Sequence, residues 1–338
     1  MTSMTALQLH CQAAEIGWRF YSHLAEAAFH AGQIELASEL LAKALALAED
    51  LGNGDPRLAR TLNRMGVLRC QQERYAEAAN LFRRATAVLS RATGDCARDL
   101  GAVFSNLAST YRMLGLTQPA LVACRRALSV LDPSGESDDL SVAWNLDLLG
   151  EICGAEAEDW AALSAFRRAL AIKERMLGTS HWDTSVTLRK MGEWYFRHGR
   201  FNEAAPLLWR FIEIQGDIIG RTDISLAGVY SRLGELYTRQ GKCRAAELLL
   251  RYSLALFNET AEPPDSWVVQ TLQKLAEAYR GLGRFAEAEA VAALARRIAE
   301  AWDQGKTPHF EWPGMIPPTP TAPAPRPELG WIEFSPGQ

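Results

Sequence analysis

The feature that most constrains this 338-residue chain is that it repeats itself. A small residue follows a large apolar one at Leu24-Ala25, Met65-Gly66, Leu107-Ala108, Leu149-Gly150, Met191-Gly192, Leu233-Gly234 and Leu275-Ala276, with a first step of 41 residues and every later step 42. Twelve residues after each small residue stands an alanine: Ala37, Ala78, Ala120, Ala162, Ala204, Ala246 and Ala288. One match would be noise, but seven copies in nearly fixed register are not. A period of roughly 20–50 residues marks an array of identical supersecondary units stacked side by side.

Each unit reads as a helix, a turn and a helix. Residues 271–299, TLQKLAEAYRGLGRFAEAEAVAALARRIA, place apolar side chains at three- and four-residue steps, the signature of an amphipathic helix. Gly283 breaks the pattern, as Gly32, Gly115, Gly199 and Gly241 do at matching sites. A glycine there takes the left-handed conformation that ends a helix. Pro119 suits the first turn of a second helix, where a missing N–H is harmless; Pro206 lies deeper and is expected to bend its helix. The fourth unit has no such glycine, reading AEAEDW at 155–160. Side chains no larger than alanine at the two small sites let paired helices approach to about 8–10 Å. Tyr111, Tyr195, Tyr237, Tyr279, Phe82 and Phe166 are expected to fill the space between layers. A lone hairpin cannot bury its apolar face, whereas a stack can.

Composition allows this and closes other routes. Apolar residues make up 48% of the chain, enough for a continuous core. The 36 basic and 40 acidic residues leave a net charge of -4, so no positive field draws nucleic acid or an anionic membrane. No apolar run approaches the ~18 residues of a membrane span. No Lys or Arg precedes Arg19 and no greasy stretch ends in a cleavage-like site, so a secretory signal is not expected. Cys11, Cys70, Cys96, Cys124, Cys153 and Cys243 form no CxxC pair and no Cys/His cluster of metal-ligand spacing. They are read as small buried apolar residues of a reducing, cytoplasmic protein, with neither disulfide nor metal. The sequon Asn258-Glu-Thr260 then has no role. No phosphate-binding loop, dinucleotide fingerprint, HExxH or GxSxG occurs, so neither a cofactor nor catalysis is expected. His181 is read as a helix-capping turn residue, because no motif places a nucleophile or carboxylate beside it.

The order Leu275-Ala276, Tyr279, Gly283, Phe285, Ala288, Ala295 resembles the tetratricopeptide repeat. The 42-residue length is similar to that of kinesin light chains and their bacterial relatives, whose leucine-glycine turn precedes His-Pro-Asp; here Leu177-Gly178 precedes His181-Trp182-Asp183. The resemblance covers about residues 14–302. It implies an all-α, right-handed superhelical solenoid of about seven tetratricopeptide-like helix-turn-helix repeats over 1–302, with a separate proline-rich aromatic tail over 303–338. It does not imply kinesin itself, since the heptads that dock a heavy chain are absent.

The same resemblance implies a peptide-binding concave groove lined by first helices. The lining positions lie two and one before the large apolar anchor, two after it, and five to six after it. They map onto Asn63, Arg64, Asn106, Arg112, Arg189, Lys190, Glu193, Arg197, Arg232, Glu235, Arg239, Lys274 and Glu277. Asn106 matches an asparagine with which such repeats hold a peptide backbone, whose unpaired N–H and C=O groups need an amide partner. A two-carboxylate clamp for chaperone tails is not placed. In the C-terminal half, Lys190–Glu193, Arg232–Glu235, Lys274–Glu277, Glu193–Arg197 and Glu235–Arg239 stand three or four apart. Such pairs support a helix by about 0.2–0.5 kcal/mol each. They make either a solvated salt-laced face or a charged wall that reads a peptide.

The tail is different in kind: nine of the fifteen prolines lie in its 36 residues, which excludes helix through 313–327 and favours extended chain. Its aromatics Phe310, Trp312, Trp331 and Phe334 stand beside Glu311 and Glu333, similar to the tryptophan-acidic peptides that kinesin-light-chain repeats bind. The tail would cover the exposed end of the solenoid, serve as a motif for another protein, or dock in this chain's own groove. The function expected is a non-catalytic adaptor or scaffold that binds a peptide or protein segment. The alternatives are a peptide-responsive regulatory subunit acting on a separate effector, and an enzyme.

Overall fold

The structure is a computed structural model, and it describes residues 6–92, 96–156, 159–258 and 265–303. These form fourteen α-helices and one 3₁₀ turn, with no strand among the described residues. In chain order the helices are α1 (Ala6–His30), α2 (Ile34–Asp50), α3 (Pro56–Gln71), α4 (Tyr75–Leu89), α5 (Ala97–Met113), α6 (Thr117–Leu131), α7 (Leu140–Ala155), α8 (Asp159–Leu177), α9 (Trp182–Arg197), α10 (Phe201–Ile219), α11 (Ala227–Arg239), α12 (Cys243–Asn258), α13 (Asp265–Gly281) and α14 (Phe285–Asp303). The chain is an all-α helical-repeat solenoid of seven hairpins. It forms two compact units, Met1–Met176 and Leu177–Gln338.

The 42-residue register sets where helices begin and end. Asp55, Asp139 and His181 cap first helices, and Asp223 caps the 3₁₀ turn Ile224–Leu226 that leads into α11. In each case the side chain accepts the backbone N–H two residues on, satisfying a donor that the first helical turn leaves unpaired. His181 thus does what its position in the turn predicts, through Nδ1.

At the other end of each first helix the turn glycines Gly32, Gly115, Gly199, Gly241 and Gly283 have φ between 69° and 74°. The following N–H reaches back to the carbonyl five residues earlier, as Arg284 does to Tyr279 at 2.9 Å. Glu73 stands at this register position in the second repeat with φ 59°, and Arg74 makes the equivalent bond to Arg69. A carboxylate side chain therefore occupies a left-handed turn that the sequence pattern reserves for glycine. The matching segment of the fourth repeat, residues 157–158, lies outside the described residues, as does the tail from 304. α10 runs on without a break through Pro206.

Packing follows the small sites. A Cβ added at Gly66 would lie 2.5 Å from the Phe82 ring, and one at Gly150 would lie 2.6 Å from Phe166. Gly192 and Gly234 meet Leu208 and Leu250 in the same way. Each glycine thus seats a large side chain sixteen residues on, from the second helix of its own hairpin. The interior is shared between hairpins. Ala25 and Ala28 of α1, Ala37, Leu40 and Leu41 of α2, and Leu68 of α3 form one buried cluster. Val142, Ala143 and Leu146 of α7 pack with Ala165, Ala169 and Ile172 of α8, and Leu128 and Leu131 of α6 close over them. Cys124, Cys153 and Cys243 are buried and all six cysteines are free thiols. Burial pushes the Cys124 thiol up to about 12, leaving it protonated and unreactive. No helix among the described residues is long and apolar enough to cross a membrane.

Candidate functional site

First helices of neighbouring repeats pack directly on one another: α3 on α5, α5 on α7, and α11 on α13. Their exposed edges form a side-by-side wall within each unit. The anchors Leu107, Met191, Leu233 and Leu275 are buried, Met65 and Leu149 are half-buried, and Leu24 of the first repeat is exposed.

The residue just before the anchor reaches backward in three repeats. Arg64 donates to the Ser22 carbonyl at 3.3 Å and to Glu26 at 2.9 Å. The Asn106 amide donates to Asn63 Oδ1 at 2.9 Å. Lys274 reaches Ser231 Oγ at 3.4 Å and Glu235 at 3.0 Å. A second rung runs the other way: Ser105 donates to Asn145 Oδ1 at 2.8 Å, and Ser231 and Thr271 share a hydrogen bond of 3.0 Å. The lining columns are therefore also a polar zipper between repeats.

In the N-terminal unit the first helices present amides. Asn63 and Asn106 are half-buried and adjacent, their side chains joined across the seam. Arg112 is exposed and lies 3.6 Å from Glu151 of the next repeat. Asp147, which the column spacing would put on the wall, turns inward instead and meets Lys173 of α8 at 2.6 Å, both side chains 2% exposed.

In the C-terminal unit the first helices present charges. Glu235 is a hub, lying 3.3 Å from Arg232, 3.5 Å from Arg239 and 3.0 Å from Lys274. The first two are the within-helix pairs that the spacing anticipates. The third crosses from one repeat to the next and has no signal in single-helix spacing; only the 42-residue column makes it visible. Burial lowers the Lys274 ammonium below the usual lysine range, although Glu235 acts against that shift. Arg189 bonds Glu193 at 2.8 Å, and Arg232 lies over the Phe196 ring at 4.8 Å from its centroid. Lys190 is half-buried, whereas Arg197, Arg239 and Glu277 are exposed at the wall's surface. The tail residues Trp312, Trp331, Glu333 and Phe334 lie outside the described residues. No group of three or more His, Cys, Asp or Glu side chains converges as metal ligands would among the described residues.

Comparison with known proteins agrees with this geometry. The tetratricopeptide repeat family model matches residues 19–91, 99–175 and 225–301, well over half of the chain. No curated protein matches it significantly. Among solved structures, a kinesin-light-chain-type protein of Podosopora anserina with nearly identical tetratricopeptide-like repeats is similar at 21% identity and a TM-score of 0.55, covering 63% of this chain and 100% of that one. The apo form of the quorum sensor NprR from B. thuringiensis is similar at 13% identity and a TM-score of 0.56, covering 83% and 86%. A tetratricopeptide repeat protein from Parabacteroides merdae is similar at 17% identity and a TM-score of 0.55, covering 84% and 93%. Seven hairpins in one register, glycine-seated packing and three family matches lead to one conclusion: this chain belongs to the tetratricopeptide repeat family.

Proposed function

We propose that this protein is a non-catalytic adaptor that holds a peptide or protein segment against the wall of its first helices. The observation that carries the reading is the composition of that wall. Asn63 and Asn106 present amide groups on first helices of the N-terminal unit, and Arg189, Lys190, Glu193, Arg197, Arg232, Glu235, Arg239, Lys274 and Glu277 present both signs of charge on first helices of the C-terminal unit. An extended segment brings unpaired backbone groups and its own charges, and such a wall offers partners to each.

Affinity capture on the immobilised full-length chain, repeated with Arg197→Glu/Arg239→Glu, tests the reading. A partner that binds the wild type and is lost from the variant supports it; a partner indifferent to the variant refutes this site. Binding through exposed charges is also expected to weaken from low to physiological salt, because screening acts over about 8–10 Å. A tail that competes for the wall gives a further outcome: deletion of 304–338 then raises partner affinity.

A second reading is a peptide-responsive regulatory subunit that controls a separate effector. The fold likeness to a quorum sensor favours it. Small-angle scattering with and without the captured partner separates the two, since an adaptor keeps its dimensions and a switch changes them.

A further inference from the structure

We infer that the exposed face of second helices α4, α6 and α8 is a separate docking surface for an acidic segment of a partner protein. Aligned by the 42-residue register, the outward midlines of these helices read Ala76, Asn80, Arg83, Arg84; Gln118, Val122, Arg125, Arg126; and Trp160, Ser164, Arg167, Arg168. Six arginines stand there without one carboxylate, in a chain of net charge -4. Five of the six are exposed, and Arg168 is half-buried. Among the carboxylates of the same helices, Glu77 is held by Arg74 at 2.6 Å, and Glu174 stands two turns after Arg167 on the same helix face. In α2 the register positions of Ala76 and Asn80 hold the exposed Glu35 and Glu39.

Arg84 reaches Glu49 at the end of α2, and Arg168 bonds Asp132 just past the end of α6, so these two tie their helices to the hairpin before, while Arg126 lies over the Phe104 ring of its own hairpin. Arg83, Arg125 and Arg167 form the other column, one exposed guanidinium per repeat, with Arg83 donating to Asn80 of its own helix. A rigid comb of guanidinium groups matches a run of carboxylates, each able to take two parallel N–H bonds. Like charges gathered on one set of helices also raise the on-rate of an acidic partner. Val122 and Trp160 lie among the arginines with 53% and 83% exposure, the latter the most exposed large apolar side chain among those described. Apolar side chains within a basic surface suit a polypeptide that mixes acidic and apolar residues better than a bare phosphate backbone.

Titration of the full-length chain with a fluorescent 20-residue glutamate/leucine peptide tests this, alongside a lysine/leucine peptide and an oligothymidylate of equal length. The triple variant Arg83→Gln/Arg125→Gln/Arg167→Gln is expected to bind the acidic peptide at least about tenfold more weakly and with a flatter salt dependence. The corresponding triple lysine variant, which keeps the charge but loses the two-pronged N–H bonding, is expected to bind more tightly than the glutamine triple and more weakly than wild type. Circular dichroism confirms that each variant is folded; if the glutamine triple is not, the single reversal Arg125→Glu takes its place. The proposal fails if the triple binds like wild type or if the lysine/leucine peptide binds equally well. It fails too if the oligothymidylate binds more tightly than the acidic peptide, which would assign the face to nucleic acid. Loss of binding in Arg197→Gln/Arg239→Gln but not in the triple would place the probe on the first-helix wall and overturn this proposal while leaving the other standing.

Discussion

Two residue positions show how tightly the register constrains individual side chains. Five turn positions hold glycine near φ 70°, and the sixth described one holds Glu73 at φ 59°. For a residue with a Cβ that conformation costs about 1–2 kcal/mol, while glycine gives back about 0.5–1 kcal/mol of chain entropy. Glu73→Gly is therefore expected to stabilise the protein by up to about 1 kcal/mol, and Gly283→Ala to destabilise it by about the same amount. Urea unfolding midpoints check both. The small site obeys a steric rule instead. Where it is glycine, as at Gly66 and Gly150, the residue sixteen later is the large Phe82 or Phe166. Where it is alanine, the same register holds the smaller Cys124 at Ala108 and Ala292 at Ala276, while Ala25 of the first repeat accommodates Leu41. Gly66→Ala is expected to cost about 1–3 kcal/mol by overpacking, and less in a Phe82→Leu background. Equal costs in the two backgrounds, read from a double-mutant cycle, would refute the pairing.

At the scale of helices, two devices set stability. Lys173 of α8 and Asp147 of α7 form an ion pair closed from water, each side chain 2% exposed. Removing one partner leaves a buried charge, so Lys173→Met is expected to cost about 3–5 kcal/mol, whereas adding Asp147→Leu recovers most of it. Chemical denaturation of the single and double variants measures this. The caps add a pH dependence. The Ser141 backbone N–H, then its hydroxyl, hold the Asp139 carboxyl below its ordinary 3.8. A carboxyl depressed in the folded state stabilises above its unfolded pKa and loses that contribution as pH falls through the folded one. Stability is thus expected to drop below about pH 4, and to drop less steeply in Asp139→Asn, which keeps the cap but cannot titrate; acid titration followed by circular dichroism reads the difference. These elements also show what the sequence could reveal. Helix boundaries, turn glycines and His181 as a cap were legible because each follows from local pattern repeated at a fixed interval. Lys274 to Glu235, Asp147 to Lys173 and the arginine column of α4, α6 and α8 were not. Each joins residues of different helices or repeats, and a reading confined to one helix or to the first-helix columns passes over them.

Within each unit, hairpins finish their cores on their neighbours. In such an array stability is close to a sum of repeat and nearest-neighbour terms, so a long enough block should stand alone. The N-terminal unit, Met1–Met176, comprises four hairpins, and its buried clusters draw only on residues within it. Gly178, with φ 95°, ends α8 just beyond and supplies a natural stop. A fragment of residues 1–178 is therefore expected to fold by itself, with helical circular dichroism and cooperative urea unfolding. Its m-value should be roughly half that of the full chain, since m follows the surface exposed on unfolding. Because α4, α6 and α8 all lie in this unit, the fragment should also bind the glutamate/leucine peptide as the full chain does. A fragment without a cooperative transition would show that four hairpins do not suffice. A folded fragment without peptide affinity would instead overturn the assignment of the acidic docking surface to α4, α6 and α8.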